Sequence, residues 1–554
     1  MSGHDTQPRE AALLAEYQAA AEAGILLLRA CQSCGEAHVY PRPHCPLCGH
    51  RGTEWRKASG AATLYSYTTS PMLPPATHYA MVTLAEGPTM PTIIVQSDFE
   101  ALEIGQPMTL RFTKGPKGAP VPAFVAPASL RAEAYAARVI AEADAVPPGE
   151  APALAQVAVI GGGTMGQGLV SACLIAGLSA VLVDRAHEAL ERARSVIAAN
   201  VAQAIDKGKA RPAAAACLDA LVCTTDMAAI SRADVVIEAV YEAMALKQEV
   251  MAQADRFARP GAVLGTNTST LDIDAIARAT TRPGAVVGLH FFSPAHIMKL
   301  LEIVRGTATE PATLAAARAL GDRLRKTSVT VGNAFGFVGN RLMIAREHHA
   351  AQLLLAGALP QEVDAFQTGF GLPMGTFTLQ DMAGGIELAY RQRQDTGRTD
   401  WLIDRLFKAG RTGLKSGKGY YRYEPGSRKP IPDPEVEALI REWSAAEGVT
   451  RRPIPPAEMH DRLILPMLNE GFKLLEEGIA DRPEDVDTVW LRGYGWPAWR
   501  GGPMYYAQQK GLGAILDRLT ALQAQEGEAF RPAALLQSMV AEGRALFAPS
   551  PDAA

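Results

Sequence analysis

Residues 157–169 read VAVIGGGTMGQGL, and this stretch decides the fold of the chain's central part. Its first four residues are apolar and make a buried strand. Gly161, Gly163 and Gly166 follow at G-x-G-x-x-G spacing, and a helix opens within the turn. Glycines at such a turn let the backbone approach a pyrophosphate at the helix N-terminus, where free N–H groups and the helix dipole favour an anion. Thr164 and Met165 complete the candidate phosphate cradle. The pattern alone is a weak signal, but the next strand, SAVLVD (179–184), ends in Asp184, 23 residues after Gly161. A carboxylate there can accept from ribose hydroxyls, which disfavours a 2′-phosphate and points to NAD. The neighbouring Arg185 leaves NADP as the alternative. Two further apolar runs, ADVVIEAV (233–240) and AVLGT (262–266), continue a parallel α/β sheet.

Downstream of this fold lie three segments: TNTSTLDI (266–273), VVGLHFFSPAHIMKLLEIV (286–304) and VGNAFGFVGNRL (331–342). His290 ends one strand-like run and Glu302 lies inside the next. A lone histidine beside an apolar strand is usually a satisfied core residue. A lone glutamate in such a strand is costly unless paired. Each explains the other if they form a pair. Oxidising a secondary alcohol with a nicotinamide cofactor needs a base for the hydroxyl proton, and imidazole titrates near neutrality. A carboxylate on the far ring nitrogen fixes the tautomer and stabilises the imidazolium. Ser269 and Asn340 carry less information alone, since an isolated Ser after a strand or Asn in a helix is usually structural.

His290 follows Ser269 by 21 positions, precedes Glu302 by 12 and precedes Asn340 by 50. In these segments and intervals the chain resembles the L-3-hydroxyacyl-CoA dehydrogenase family, most nearly the dehydrogenase part of the bifunctional hydratase/dehydrogenases of fatty-acid β-oxidation. The resemblance covers roughly residues 156–545. It implies a Rossmann-type NAD-binding domain, an acyl-CoA substrate, and His290 as the base paired with Glu302. It also implies that Ser269 binds the substrate's oxygen functions and that Asn340 holds the substrate carbonyl near His290. Asn267 joins the cofactor set. Glu242 and Lys247, in an E-x4-K pattern, are expected to face the nicotinamide ribose, the plain alternative being an exposed helix start.

An internal repeat closes the chain: residues 340–377 align with 461–504. Both copies run from x-R-L through a helix ending near Gly357 or Gly478. They continue through Val363-Asp364 or Val486-Asp487 to Gly-x-Gly-x-Pro. Asp461 stands where Asn340 stands, so the first copy is expected to be catalytic and the second structural. Single-copy relatives dimerise through this helical domain, and a tandem pair can satisfy that interface within one chain. One departure from the family pattern is Ile386, in MAGGIELAY (382–390), where relatives carry Asp.

Ahead of the dehydrogenase, Cys31-x2-Cys34 and Cys45-x2-Cys48 can supply four thiolates to one tetrahedral zinc from two tight turns. The alternative is a ribbon that keeps its turns without metal. Strand-like segments ATLYSYTTS, YAMVTLAEG, PTIIVQSDF and PMTLRFTKG then suggest a small barrel of about five strands. Ribbon and barrel together resemble the rubredoxin-like zinc ribbon and OB-fold domain that accompanies thiolases and hydratases of acyl-CoA metabolism. That resemblance implies docking of a partner such as a thiolase, with a folding or dimerisation module as the alternative. The bifunctional relatives carry a hydratase domain in this position, so hydration is not expected.

The expected order is therefore a multidomain α/β chain. A zinc ribbon and OB-fold occupy 1–130, a helix and Ala/Pro-rich linker 131–155, and the Rossmann-type domain 156–332. The catalytic helical copy spans 333–425, a connector 426–455, and the structural copy 456–545. A formal charge of −4 in 554 residues gives no global basic footprint, and the barrel lacks a basic-aromatic stripe, so nucleic acid is not an expected partner. No apolar run approaches a membrane span of about 20 residues. Neither a signal peptide nor a peroxisomal tripeptide is read, and a cytoplasmic location is expected. Two other functions compete: a non-catalytic scaffold for an acyl-CoA enzyme, and a dehydrogenase of free hydroxy acids. Acyl identity is not legible.

Overall fold

A computed structural model describes residues 7–70, 77–115, 118–145, 153–394 and 400–547. Two compact units divide the chain, a smaller one built mainly on residues up to Tyr135 and a larger one on the rest. Part of the expected linker, 146–152, lies outside the described residues. Its helix spans Pro127–Asp144, opening on a proline whose missing N–H costs nothing at a helix start.

In the smaller unit a helix, Gln7–Glu22, precedes a three-stranded antiparallel sheet. β1 (Leu27–Cys31) is central, flanked by β2 (Ala37–His38) and β3 (Thr53–Lys57). Five strands then close a barrel: β4 (Ala61–Thr68), β5 (Thr77–Leu84), β6 (Thr89–Val95), β7 (Pro107–Lys114) and β8 (Pro120–Val125). Alternate residues of each strand point inward, and Leu64, Val82, Ile94, Met108 and Phe124 fill the interior. β8 is the strand that sequence reading did not delimit. Pro120 and Pro122 argue against a strand, yet β8 pairs with both β6 and β7.

The larger unit is organised by an eight-stranded sheet. Its strands are β9 (Gln156–Ile160), β10 (Ser179–Val183), β11 (Val222–Thr224), β12 (Val235–Glu238), β13 (Val263–Thr266), β14 (Val286–Phe291), β15 (Leu300–Arg305) and β16 (Thr327–Gly332). Their order across the sheet is β11-β10-β9-β12-β13-β14-β15-β16. β9, β12, β13 and β14 are fully or almost fully buried along their length, which is why they read as continuous apolar runs. The connection reverses direction between β9 and β12, so the crevice outside their carboxyl ends is the expected ligand position. β15 runs antiparallel to β14 and parallel to β16.

The sequence repeat is a structural one. In the first copy Asp364 accepts from the N–H groups of Phe377 and Thr378, at 3.0 and 2.8 Å. In the second, Asp487 accepts from those of Met504 and Tyr505, at 2.6 and 3.1 Å. A Cβ on Gly375 or on Gly502 would come within 2.3 Å of the respective aspartate, so each copy needs glycine there. The copies differ at their first helix. Gly339–Ala356 is continuous, whereas the second copy breaks into Pro456–Leu463 and Leu465–Glu476 at Pro466, which lacks the N–H an unbroken helix requires. Arg341 joins the copies, reaching Glu470 at 2.5 Å and Glu477 at 2.5 and 2.7 Å. Ile386 is fully buried, as an apolar residue at this position requires. No helix among the described residues is long and apolar enough to cross a membrane.

Candidate active site

The glycine turn joins β9 to the helix Thr164–Ile175, whose N-cap is Gly163. Gly161 has φ +113°, and a Cβ there would lie 2.6 Å from the Ala239 carbonyl oxygen beyond β12. A Cβ on Gly166 would lie 1.8 Å from the Gly161 oxygen, so only glycine lets helix and strand approach so closely. Gly163 faces open space, and with Thr164 and Met165 it begins the first helical turn, whose N–H groups have no partner within the helix. This geometry fits a dinucleotide pyrophosphate.

Asp184 lies just past β10. Its carboxylate accepts from the N–H of Gly162 at 2.7 Å and of Ala186 at 3.0 Å, which orders it at the mouth of the turn. Gly162, the middle residue of the GGG run, is a positioning element that the spacing rule passes over.

β12 ends in Glu238, which is fully buried. It accepts from Lys247 Nζ at 2.8 and 3.1 Å, from Thr266 Oγ1 at 2.6 Å and from the Val240 N–H at 2.7 Å. Lys247 also lies 3.3 Å from Glu242, whose other oxygen accepts from Thr268 Oγ1 at 2.5 Å and the Ser269 N–H at 2.9 Å. The sequence expectation set Glu242 and Lys247 side by side toward the nicotinamide ribose. In the structure they differ: Lys247 is enclosed at 0% side-chain exposure, while Glu242 keeps 22%. Enclosure beside Glu238 makes Lys247 the counter-ion of two carboxylates. Glu238 went unnoticed in the sequence, although it is a lone glutamate in an apolar strand like Glu302.

His290 and Glu302 are directly opposed in the β14–β15 register. His290 Nδ1 and Glu302 Oε2 are 2.7 Å apart, with the side chains 5% and 0% exposed. The other oxygen of Glu302 accepts from the N–H groups of Val338 and Gly339 at 3.2 and 3.1 Å, where the helix Gly339–Ala356 begins. Those donors and the positive end of the helix compensate a buried carboxylate. Phe292 and Phe337 flank the imidazole, with ring centroids 4.5 and 5.5 Å from it. Asn267 accepts from the Phe291 N–H at 3.0 Å and so fixes the end of β14. Asn340 Nδ2 donates to the Ser269 carbonyl oxygen at 3.3 Å. The structure thus gathers Ser269, His290, Glu302 and Asn340 at the carboxyl ends of β13 and β14, Glu302 coming from the amino-terminal half of the antiparallel β15, with Nε2 as the ring nitrogen not engaged by Glu302. Tyr494, also unnoticed in the sequence, donates to Asn340 Oδ1 at 2.7 Å.

The four cysteines of the smaller unit converge, all sulfurs lying within 4.8 Å of one another. Cys31 and Cys48 are 3.6 Å apart, and Cys34 and Cys45 3.8 Å. Zinc–sulfur bonds of about 2.3 Å in a tetrahedron put sulfurs about 3.8 Å apart, so the set fits zinc. Two matching turns build it: the N–H groups of Ser33 and Leu47 each lie 3.4 Å from a cysteine sulfur, Cys31 and Cys45 respectively.

Family comparison agrees with this anatomy. The model for the 3-hydroxyacyl-CoA dehydrogenase NAD-binding domain matches residues 156–334, and that for its C-terminal domain matches 336–423 and 459–546. Residues 18–54 match the rubredoxin-like zinc ribbon domain of ChsH2, and 55–113 its C-terminal OB-fold domain. The chain is 38% identical over 407 residues to a peroxisomal bifunctional enzyme of Danio rerio, covering 70% of this chain and 56% of that protein. It therefore spans little more than half the length of that relative. A 3-hydroxybutyryl-CoA dehydrogenase structure from Escherichia coli superposes with TM-score 0.61 at 26% identity, covering 71% of this chain and 99% of the other. The dehydrogenase part of multifunctional enzyme 1 from C. elegans gives 0.54 at 28% identity, covering 73% and 96%. With one NAD-binding domain and two C-terminal domains of the same type, the chain belongs to the 3-hydroxyacyl-CoA dehydrogenase family, joined to a zinc ribbon and OB-fold of the ChsH2 type.

Proposed function

We propose that the chain oxidises an L-3-hydroxyacyl-CoA to the 3-ketoacyl-CoA with NAD. The observation that carries this reading is the His290–Glu302 pair, 2.7 Å apart, in one cluster with Ser269 and Asn340. Bound at the glycine turn, NAD supplies the hydride acceptor. His290 takes the hydroxyl proton at Nε2, and Glu302 holds the proton on Nδ1 and stabilises the imidazolium. Ser269 and Asn340 bind the substrate's oxygen functions. Asp184 accepts from the adenosine ribose, and Glu242, fixed by Lys247, faces the nicotinamide ribose. NADH formation across a panel of L-3-hydroxyacyl-CoA esters tests the reading. No turnover with any of them, or turnover of free hydroxy acids alone, overturns it.

We further propose that residues 1–130 dock an enzyme that consumes the 3-ketoacyl-CoA product, such as a thiolase. Four thiolates leave zinc no open position, which favours a structural over a catalytic ribbon. Tyr40, Leu47, Tyr65 and Ile104 are each more than 60% exposed in this unit, apolar side chains available for a partner to cover. Co-purification from native extract, with and without these four side chains replaced by serine, tests the idea. Equal capture by both proteins, or none of an acyl-CoA enzyme by either, overturns it.

A further inference from the structure

The second helical copy lacks the asparagine of the first, and Asp461 in its place is paired with Arg518 at 2.5 Å. Yet this copy is not confined to support. Its Gly-x-Gly-x-Pro segment, 493–497, ends the π-helical turn Trp490–Tyr494 and brings Tyr494 against the first copy. The phenol donates to Asn340 Oδ1 at 2.7 Å. The ring stacks on Trp490 with centroids 4.6 Å apart and meets Phe292 edge-on at 5.5 Å. Phe292 in turn lies against His290.

Two features indicate that this contact is built rather than incidental. A Cβ on Gly339, the residue before Asn340, would come within 2.3 Å of the Tyr494 ring, so the chain leaves room for the phenol there. At the equivalent place in the first copy stands Phe370, which has no hydroxyl. The copies therefore differ at both members of the pair, Asn340 against Asp461 and Tyr494 against Phe370. Burial and the nearby Glu302 and Glu347 carboxylates push the Tyr494 phenol well above its ordinary titration range. It remains a donor across the working pH.

A carboxamide can present either its oxygen or its nitrogen to a ligand. With Oδ1 accepting from Tyr494, Nδ2 is turned the other way, where it meets the Ser269 carbonyl oxygen at 3.3 Å. We infer that Tyr494 is a positioning residue of the active site, contributed by the second copy, which fixes Asn340 with its amide N–H groups toward the acyl-CoA carbonyl. This rests on the functional reading above.

Tyr494→Phe keeps both ring contacts and removes only the hydroxyl. It should lower kcat/KM for the 3-hydroxyacyl-CoA by about 3–10-fold, the worth of one neutral hydrogen bond. KM for NAD should not change, and the same substitution in an Asn340→Ala background should have no further effect. An equal loss in that background, a matching change in KM for NAD, or no loss in an active enzyme overturns the assignment. A wild-type protein that turns over no 3-hydroxyacyl-CoA instead overturns the functional reading, and this inference with it. Near-ultraviolet circular dichroism unchanged from wild type excludes misfolding as the source of a loss.

Discussion

His290 and Glu302 face each other across the antiparallel β14–β15 pair, as registered partners with Nδ1 and Oε2 2.7 Å apart. The pairing is fixed by more than the two side chains. Slipping one strand by a residue would turn Glu302 to the opposite face of the sheet, where β14 is buried along its whole length and β15 everywhere but Arg305. His290→Gln should lower turnover by about 10²–10⁴-fold while leaving NADH affinity intact. Glu302→Gln should also impair turnover and move the pH profile, because the imidazolium loses its counter-charge. Steady-state kinetics with NADH titration checks both. Near wild-type turnover in His290→Gln would remove the base from the mechanism.

Asp184 is held by the Gly162 N–H where a ribose would arrive, and its charge repels a 2′-phosphate. The enzyme should prefer NAD to NADP, and Asp184→Ala should narrow the ratio of their kcat/KM values. A wild-type preference for NADP would contradict the assignment.

Lys247 is the buried counter-ion of Glu238, and removing it strands a carboxylate in the core. Lys247→Met should destabilise the larger unit by about 3–5 kcal/mol, as expected when one partner of a buried pair is lost. A Glu238→Gln/Lys247→Met double variant should recover part of that loss. Denaturant unfolding measures both, and strictly additive losses would show that the two side chains are not coupled.

How far the sequence revealed this site depended on which residues stand out against their surroundings. His290 and Glu302 did, as polar residues in apolar runs. The glycine turn did, because glycine spacing has a steric cause. The repeat did, because Asp364 and Asp487 recur before Gly-x-Gly-x-Pro. Lys247 was expected beside the nicotinamide ribose, and its enclosure against Glu238 was not foreseen, since burial of a lysine at a helix start leaves no local signature. Tyr494 was hidden because its partner lies 154 positions away, and an aromatic between two glycines reads as ordinary packing. β8 was masked by its prolines.

Asp381 offers a pH test of the first helical copy. Its buried carboxylate accepts from the Tyr420 and Tyr421 N–H groups and the Tyr423 hydroxyl, yet burial outweighs them and raises its pKa to about 6. Between about 4 and about 6 the unfolded carboxyl is ionised while the folded one keeps its proton, so the native state binds more protons. Stability should therefore fall as pH rises through that window, by on the order of 3 kcal/mol from this group, and stay reduced above it. Thermal unfolding at about pH 4.5 and about pH 7, on either side of that window, should show a smaller difference in Asp381→Asn than in wild type. The same difference in both proteins would reassign the effect to other groups.

The zinc ribbon gives a test that separates structure from chemistry. Four thiolates saturate a tetrahedral zinc, so the metal has no position for substrate or water. Protein purified without chelator should carry one zinc per chain, bound by Cys31, Cys34, Cys45 and Cys48, whose sulfurs already lie within 4.8 Å of one another. Cys45 is buried and would leave an unsatisfied thiol among displaced turns if the metal were lost, so the ribbon should unfold on metal removal. The catalytic cluster belongs to the other compact unit, and its turnover should survive. Elemental analysis, then kinetics after chelation under reducing conditions, checks both halves of this expectation. Absence of zinc from the untreated protein would leave the ribbon as a metal-free relic. Loss of NAD-dependent turnover in step with zinc would mean that the metal supports the dehydrogenase directly.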